Sequence, residues 1–461
     1  MRIYTSFFRF EKCRKACKYR LYRLMRTYKE IVKNYILIFT KNCLDFKCAL
    51  SFIIKKGNAC FENVRGWGIP TRPVKNSFSG RKREGVLAMA DKYLGESIKK
   101  LGFGLMRLPM KDQEIDMEQT KKMVDAFMEK GFTYFDTAYV YIGGKSEVAL
   151  KEAVVDRYPR ESFQCASKLP MFDIKKPEDM APIFQESLDR AGLSYYDFYL
   201  LHALNRDTAK KSEELDAWGF VQKMKEEGKI KHIGFSFHDT ADVLEDILTK
   251  HPEAEFVQLQ INYADWESDS VQSRLCYEAA RRHNVPVIIM EPVKGGSLAA
   301  MTPEVQKLFK DANPEMSIPS WAVRYCASLD GIVTVLSGMS DEAQLNDNVS
   351  YMADFKPLSD SEREVVGKAV EILNSIPTIP CTGCKYCVDG CPQKINIPSV
   401  FTAMNKLTLY NNPESSKGEY GRVTKDGGKA SDCIQCGNCE SHCPQHIEII
   451  ETLKKAAAQF E

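Results

Sequence analysis

The sequence predicts an α/β fold, a (β/α)8 barrel followed by a small cysteine-rich domain. Three observations predict it. Eight short apolar runs between residues 101 and 338 alternate with amphipathic stretches of helical period. Several of those stretches end in a glycine (Gly131, Gly192, Gly228), the residue a left-handed helix cap favours. Finally, eight of the 16 cysteines crowd into residues 381–443, a density that marks a site.

Taken from the N-terminus, residues 1–88 are set apart by charge. They hold 21 Lys and Arg against 5 Asp and Glu, whereas residues 89–461 hold 43 against 57, so the formal net charge of +2 conceals a split. This basic segment has neither helical nor strand periodicity and is expected to be unfolded or an over-extended start, with Met89 as the native initiator. Its basic residues alone do not make a nucleic-acid or membrane surface, and neither partner is expected. No apolar run reaches the roughly 18 residues of a membrane helix, because Lys33, Lys41, Lys55 and Lys56 break the best candidate. With 44% hydrophobic and 27% charged residues the remainder is globular.

Residues 89–375 form the expected barrel. The strand-like runs are 101–107, 132–138, 163–169, 196–203, 230–237, 256–262, 285–292 and 332–338. Helical stretches at 118–130, 145–157, 178–191, 212–227, 239–250 and 268–283 separate the first seven. Runs this apolar are buried on both faces, as in a parallel sheet. Eight βα units in about 240 residues suit a TIM-type barrel better than an open sheet, and no G-x-G-x-x-G follows an early strand.

In such a barrel, chemistry gathers where the strands end. Asp136 closes the second run with Tyr141 in the loop beyond, Lys168 closes the third and His202 the fourth. The stretches Gly131-Phe-Thr-Tyr-Phe-Asp-Thr-Ala-Tyr-Val-Tyr141, Ser167-Lys168, Tyr199-Leu-Leu-His202, Ile233-Gly-Phe-Ser236 and Ser337-Gly-Met-Ser…Gln344-Leu…Asn348 resemble the aldo/keto reductase family over roughly residues 95–375. The resemblance implies a catalytic tetrad of Asp136, Tyr141, Lys168 and His202 and a nicotinamide cofactor, NAD(P)H, across the barrel mouth. Tyr141 would protonate the carbonyl oxygen, its pKa lowered by Lys168; Asp136 would keep Lys168 charged, and His202 would orient the carbonyl. The implied cofactor residues are Ser236, Gln258, Met290, Lys294, Gly338, Ser340, Gln344 and Asn348. Phe237 stands where many members have Asn, and Met290 where an aromatic ring is common. Ser340 and Asp341 stand where a cation usually meets the 2'-phosphate, so NADH is expected to bind at least as readily as NADPH, with Lys294 the candidate to rescue NADPH. Trp266, Tyr139 and Trp218 are candidate pocket walls.

Residues 376–461 carry Cys381, Cys384, Cys387 and Cys391 spaced C-x2-C-x2-C-x3-C-P, then Cys433, Cys436, Cys439 and Cys443 in the same spacing 52 residues on. This repeat resembles the bacterial two-cluster ferredoxin run. It implies a small ferredoxin-like domain with two 4Fe-4S clusters and crossed fourth ligands: Cys381, Cys384, Cys387 and Cys443 for one, Cys433, Cys436, Cys439 and Cys391 for the other. Residues 411–431 read as an exposed polar insert. The linker Asn374-Ser-Ile-Pro-Thr-Ile-Pro380 is too short for a free tether, so the cysteine-rich domain should pack on the barrel.

The expected function is thus a cytoplasmic oxidoreductase acting on a small carbonyl or alcohol, joined to two clusters that either pass electrons to or from a redox partner protein or are structural or regulatory. The alternative is an electron-transfer or interaction protein whose barrel no longer turns over.

Overall fold

The computed structural model of the chain describes Leu94 and residues 97–461 apart from Thr382 and Pro444. The expectations for residues 1–88 therefore lie outside the described residues. Among the described residues no helix is long and apolar enough to cross a membrane.

Eight parallel strands close into a barrel. They are β1 (Leu101–Gly104), β4 (Tyr134–Asp136), β5 (Gln164–Leu169), β6 (Tyr196–Leu204), β7 (Ile230–Phe237), β8 (Phe256–Gln260), β9 (Val287–Met290) and β10 (Ile332–Ser337), with β1 joined to both β10 and β4. A short antiparallel hairpin, β2 (Met110–Lys111) with β3 (Glu114–Ile115), follows β1. The strand interiors are almost wholly buried, because helices cover their outer face and neighbouring side chains fill the barrel.

The helical layer comprises α1 (Met117–Glu129), α2 (Lys145–Leu150), α3 (Met180–Ala191), α4 (Arg206–Glu214), α5 (Ala217–Glu226), α6 (Ala241–Lys250), α7 (Ser273–Arg282), α8 (Ser297–Ala300), α9 (Pro303–Ala312), α10 (Ile318–Ala327), α11 (Glu342–Met352) and α12 (Asp360–Ser375). Some starts are capped by side chains: Asp116 accepts from Gln119 N, and Ser359 with Glu362 forms a capping box. The stretch 212–227 is not one helix. Asp216 takes a left-handed φ of 54° between α4 and α5, and its carboxylate occupies the space a Cβ on Gly219 would need, only 2.5 Å away.

The C-terminal region holds α13 (Tyr386–Asp389), α14 (Ile397–Tyr410), α15 (Pro413–Val423), α16 (Asn438–Ser441) and α17 (Ile449–Phe460). The segment 411–431 is largely exposed, as expected, but about half of it is helical. Asn412 caps α15 by accepting from Ser415 N, Pro413 opens it, and Tyr420 is buried with its ring stacked on Phe460 at 5.0 Å. A single buried tyrosine among polar residues leaves little periodicity to read. This region packs on the barrel: Tyr410 joins the apolar cluster of Tyr263, Leu298, Met301 and Trp321, and Asn412 Nδ2 donates to Gly296 O at 3.3 Å.

Candidate functional site

Four side chains meet at the C-terminal ends of β4, β5 and β6. Parallel pairing sets Asp136 beside Ala166 and Lys168 beside Leu200, so three adjacent strands deliver their polar residues to one rim. Tyr141 arrives from a tight turn in which Ile142, Gly143 and Gly144 all have positive φ. Lys168 is fully buried, and its ammonium donates to Asp136 Oδ1 at 2.6 Å, Thr137 O at 2.7 Å and Tyr141 Oη at 3.3 Å. The second carboxylate oxygen of Asp136 accepts from Gln258 Nε2 at 3.0 Å. Every partner of the buried ion pair is thus supplied by the barrel, the condition under which such a pair is tolerable.

The electrostatics follow from that packing. Burial tends to strip the proton from Lys168, but the Asp136 carboxylate and Tyr141 oppose this, and its pKa lies above the usual lysine value. Burial also pushes the Tyr141 phenol above its ordinary value, and Lys168 acts in the opposite direction without reversing the shift. The expected net lowering of Tyr141 is therefore not seen, because desolvation of a phenolate at this depth outweighs one cation at 3.3 Å. His202 is pushed well below the usual histidine range, first by burial and then by Lys168, and is neutral. Its buried Nδ1 has no hydrogen-bond partner among the described residues, and its ring lies 5.8 Å from that of Tyr141 and 5.5 Å from that of Phe172.

Ser236 acts one step behind His202. The β6–β7 register slips by one residue between Leu201 and Leu204, Ala203 takes a φ of 56°, and its N–H donates to Ser236 Oγ at 2.8 Å. This bulge re-aims His202 at the rim. Gln258 faces Asp136, and Met290 ends β9. Lys294 donates to Asp265, which Asn262 also holds. At the end of β10, Gly338 lies under the Arg107 side chain. Ser340 N–H donates to Gln344 Oε1 at 2.9 Å, and Asp341 caps α11 through Gln344 N at 2.8 Å while also accepting from Gln344 Nε2 at 3.0 Å. Asn348 Nδ2 donates to Ser337 Oγ at 2.7 Å. Sequence reasoning missed Thr137 O, Phe172, Arg107 and Glu291, which follows Met290 with a φ of 55°. Only the strand-end position of Glu291 offered a signal. Of the candidate pocket walls, Trp218 is buried in the helical layer, stacked on His251 at 4.3 Å; Tyr139 donates to Glu186, and Trp266 packs on Tyr277 and Tyr325.

The eight late cysteines divide between two cavities. One is lined by Cys391, Cys433, Cys436 and Cys439 with Ile395 and Ile397. The other is lined by Cys381, Cys384, Cys387 and Cys443 with Phe401 and Ile449. Each cavity takes three thiols from one motif and the fourth from the other. Among the described residues no group of three or more His, Cys, Asp or Glu could hold a single metal ion. The thiols surround a space instead, and a sulfur-only donor set with apolar walls fits an iron–sulfur cluster.

Comparison with known proteins adds to this geometry. The model of the aldo/keto reductase family matches residues 100–371, and that of a 4Fe-4S dicluster domain matches residues 380–448. A probable aldo-keto reductase of Glycine max is 32% identical over 184 residues, 38% of this chain and 51% of that protein. An aldo-keto reductase of a Mycobacterium species is 34% identical over 30% of this chain and 45% of that protein, so the chain spans about half the length of both. A 9,11-endoperoxide prostaglandin H2 reductase of Trypanosoma cruzi is 24% identical over 58% of this chain and 86% of that protein. Among solved structures, an aldo-keto reductase of Klebsiella pneumoniae in complex with NADPH matches with a TM-score of 0.49 and 20% identity, over 59% of this chain and 90% of that one.

Proposed function

The chain belongs to the aldo/keto reductase family, and from that premise we propose that it is a nicotinamide-dependent oxidoreductase interconverting a small carbonyl compound and its alcohol. The carrying observation is the buried Asp136–Lys168–Tyr141 chain with a neutral His202 beside it. The nicotinamide, when bound, supplies or accepts the hydride. Tyr141 holds the proton: its raised pKa keeps the phenol protonated at neutral pH. Lys168 donates to the phenol oxygen, so the hydroxyl proton is left for the carbonyl oxygen and the phenolate formed on its transfer is stabilised. Asp136 keeps Lys168 charged, and the neutral His202 donates to the same carbonyl oxygen through a ring N–H. The carboxylate of Asp341 at the β10 loop favours NADH at least as much as NADPH.

The residues lining the two cavities would hold the two clusters of the dicluster domain, Cys381, Cys384, Cys387 and Cys443 in one and Cys391, Cys433, Cys436 and Cys439 in the other. A cluster supplies one electron at a time, whereas the barrel handles two, so the electron exchange we assign to the clusters is with a redox partner protein. We place the protein in the cytoplasm, where such thiols stay reduced.

The test is oxidation of NADH and NADPH by anaerobically reconstituted protein against a panel of aldehydes and ketones. Turnover should fall about 10² to 10⁴-fold in Tyr141→Phe, the usual worth of general acid catalysis. Failure to turn over any carbonyl would overturn the reading in favour of an electron-transfer protein, and equal rates in the variant would overturn Tyr141 as the proton donor.

A further inference from the structure

The helix that follows Tyr141 is tied back to the two strands that carry the buried ion pair. It is α2, which begins at Lys145 directly after the left-handed turn Ile142-Gly143-Gly144, and its next two residues, Ser146 and Glu147, are fully buried. Thr137 Oγ1 and Ser146 Oγ share a hydrogen bond of 2.7 Å, and Glu147 Oε1 accepts from Ser167 Oγ at 2.6 Å. Thr137 follows Asp136 in the chain, and Ser167 precedes Lys168. One turn of helix therefore holds the ends of both strands, while the loop it closes carries the proton donor.

A carboxyl side chain with no solvent exposure needs its lone pairs matched. Oε1 of Glu147 is shared by Ser167 and by Ser187 of α3, whereas Oε2 has no hydrogen bond among the described residues. What faces Oε2 is the guanidinium of Arg190, also on α3, at 3.8 Å. Arg190 in turn grips the Tyr141 loop from outside. Its Nη1 donates to Tyr139 O at 3.3 Å, its guanidinium lies 4.4 Å from the centre of the Tyr139 ring, and a Cβ on Gly144 would stand only 2.8 Å from Nη1. Glu186, one turn earlier on α3, secures the arrangement by accepting from both Arg190 and the Tyr139 hydroxyl. An apolar side chain of similar size would avoid the desolvation cost of a buried carboxyl, so packing alone does not account for Glu147.

We propose that Glu147 and Arg190 are positioning residues that set the separation of Tyr141 and Lys168. Through Ser167 the carboxyl fixes the strand segment bearing Lys168, and through Arg190 it fixes the loop bearing Tyr141. The proposal rests on the carbonyl-reductase reading above and names two residues outside the tetrad on which its proton transfer depends. The quantity at stake is the 3.3 Å contact from Lys168 Nζ to Tyr141 Oη, since a misplacement of about 1 Å in such a constellation can cost about a hundredfold in rate.

The experiment uses the full reconstituted chain. Wild type, Glu147→Gln, Glu147→Leu, Arg190→Met and Ser167→Ala are compared in thermal unfolding, in carbonyl turnover, and by fluorine NMR of 3-fluorotyrosine incorporated at position 141 alone. Glu147→Leu and Arg190→Met should each lower kcat about tenfold, with KM for the carbonyl and affinity for the dinucleotide within about twofold of wild type. Glu147→Gln keeps the acceptor for Ser167 and should retain at least about a third of wild-type kcat. Should Glu147→Leu not fold, Arg190→Met and Ser167→Ala carry the same test. A fall in unfolding temperature with kcat unchanged in Arg190→Met would mean a structural role only and overturns the proposal. If wild type turns over no carbonyl, the functional reading fails and the fluorine signal decides alone. A resonance that is single in wild type and splits or broadens in Arg190→Met keeps the positioning role, and an unchanged resonance removes it.

Discussion

Replacing Lys168 by methionine tests the centre of the site through stability as well as rate. The substitution nearly preserves side-chain length and removes one fully buried ammonium, with its bonds to Asp136, Thr137 O and Tyr141. Asp136, only 3% exposed, is then left with a single donor, Gln258 Nε2. Breaking a buried pair by deleting one partner costs about 3–5 kcal/mol, because the remaining charge is unpaired in a medium that solvates it poorly. Asp136→Asn in the same background removes that charge, keeps the Gln258 bond, and should restore at least about 2 kcal/mol. Denaturant unfolding followed by tryptophan fluorescence reads this directly, since Trp218, Trp266 and Trp321 all lie in the barrel. The wild-type pair also carries a pH signature. The folded Lys168 pKa lies above its model-compound value of 10.5, so its stabilisation is complete below that pH and is lost as pH rises through the folded value. Lys168→Met should lack this alkaline loss. A single-variant cost under about 1 kcal/mol, or a double variant no more stable than the single, would refute the assignment of a buried ion pair.

His202→Gln should flatten the stability loss on mild acidification: with a folded pKa well below 6.5, His202 costs nothing above that pH and progressively destabilises the fold as pH falls beneath it. His238 shifts in the same direction, so the slope measured by denaturation at pH 7 and pH 5.5 should shrink without vanishing. Anaerobic reconstitution should load about eight iron atoms with acid-labile sulfide; Cys391→Ala should damage mainly the cluster of Cys433, Cys436 and Cys439, and electron paramagnetic resonance showing loss confined to the other cluster would contradict the crossed arrangement. Dinucleotide titration should show NADH binding at least as tightly as NADPH, and a preference of tenfold or more for NADPH, about 1.4 kcal/mol, would show that the Asp341 carboxylate does not act on the 2'-phosphate.

The barrel was legible because eight apolar runs cannot be covered from one side only, and their order along the chain brings Asp136, Lys168 and His202 to one rim. What escaped was whatever depends on neighbours distant in sequence. The left-handed Asp216 splits a continuous helical pattern, and only the paired gap at Gly219 accounts for it. Tyr420 looks like one aromatic residue in a polar stretch until Phe460 lies beneath it. Ser236 also accepts from the Ala203 N–H at the bulge, a contact no local pattern announces.

The exchange of one cysteine between the two cavities also sets an order of biosynthesis. A chain emerging N-terminus first has every barrel strand available before the second cysteine motif exists, and domains generally fold as units in that order. The cavity begun by Cys381, Cys384 and Cys387 stays one thiol short until Cys443 has been made, and Cys391 waits for Cys433, Cys436 and Cys439. A product stopped between the motifs therefore carries a finished barrel and no complete cavity, rather than one cavity of two. Iron incorporation becomes an all-or-none report that translation has passed both motifs.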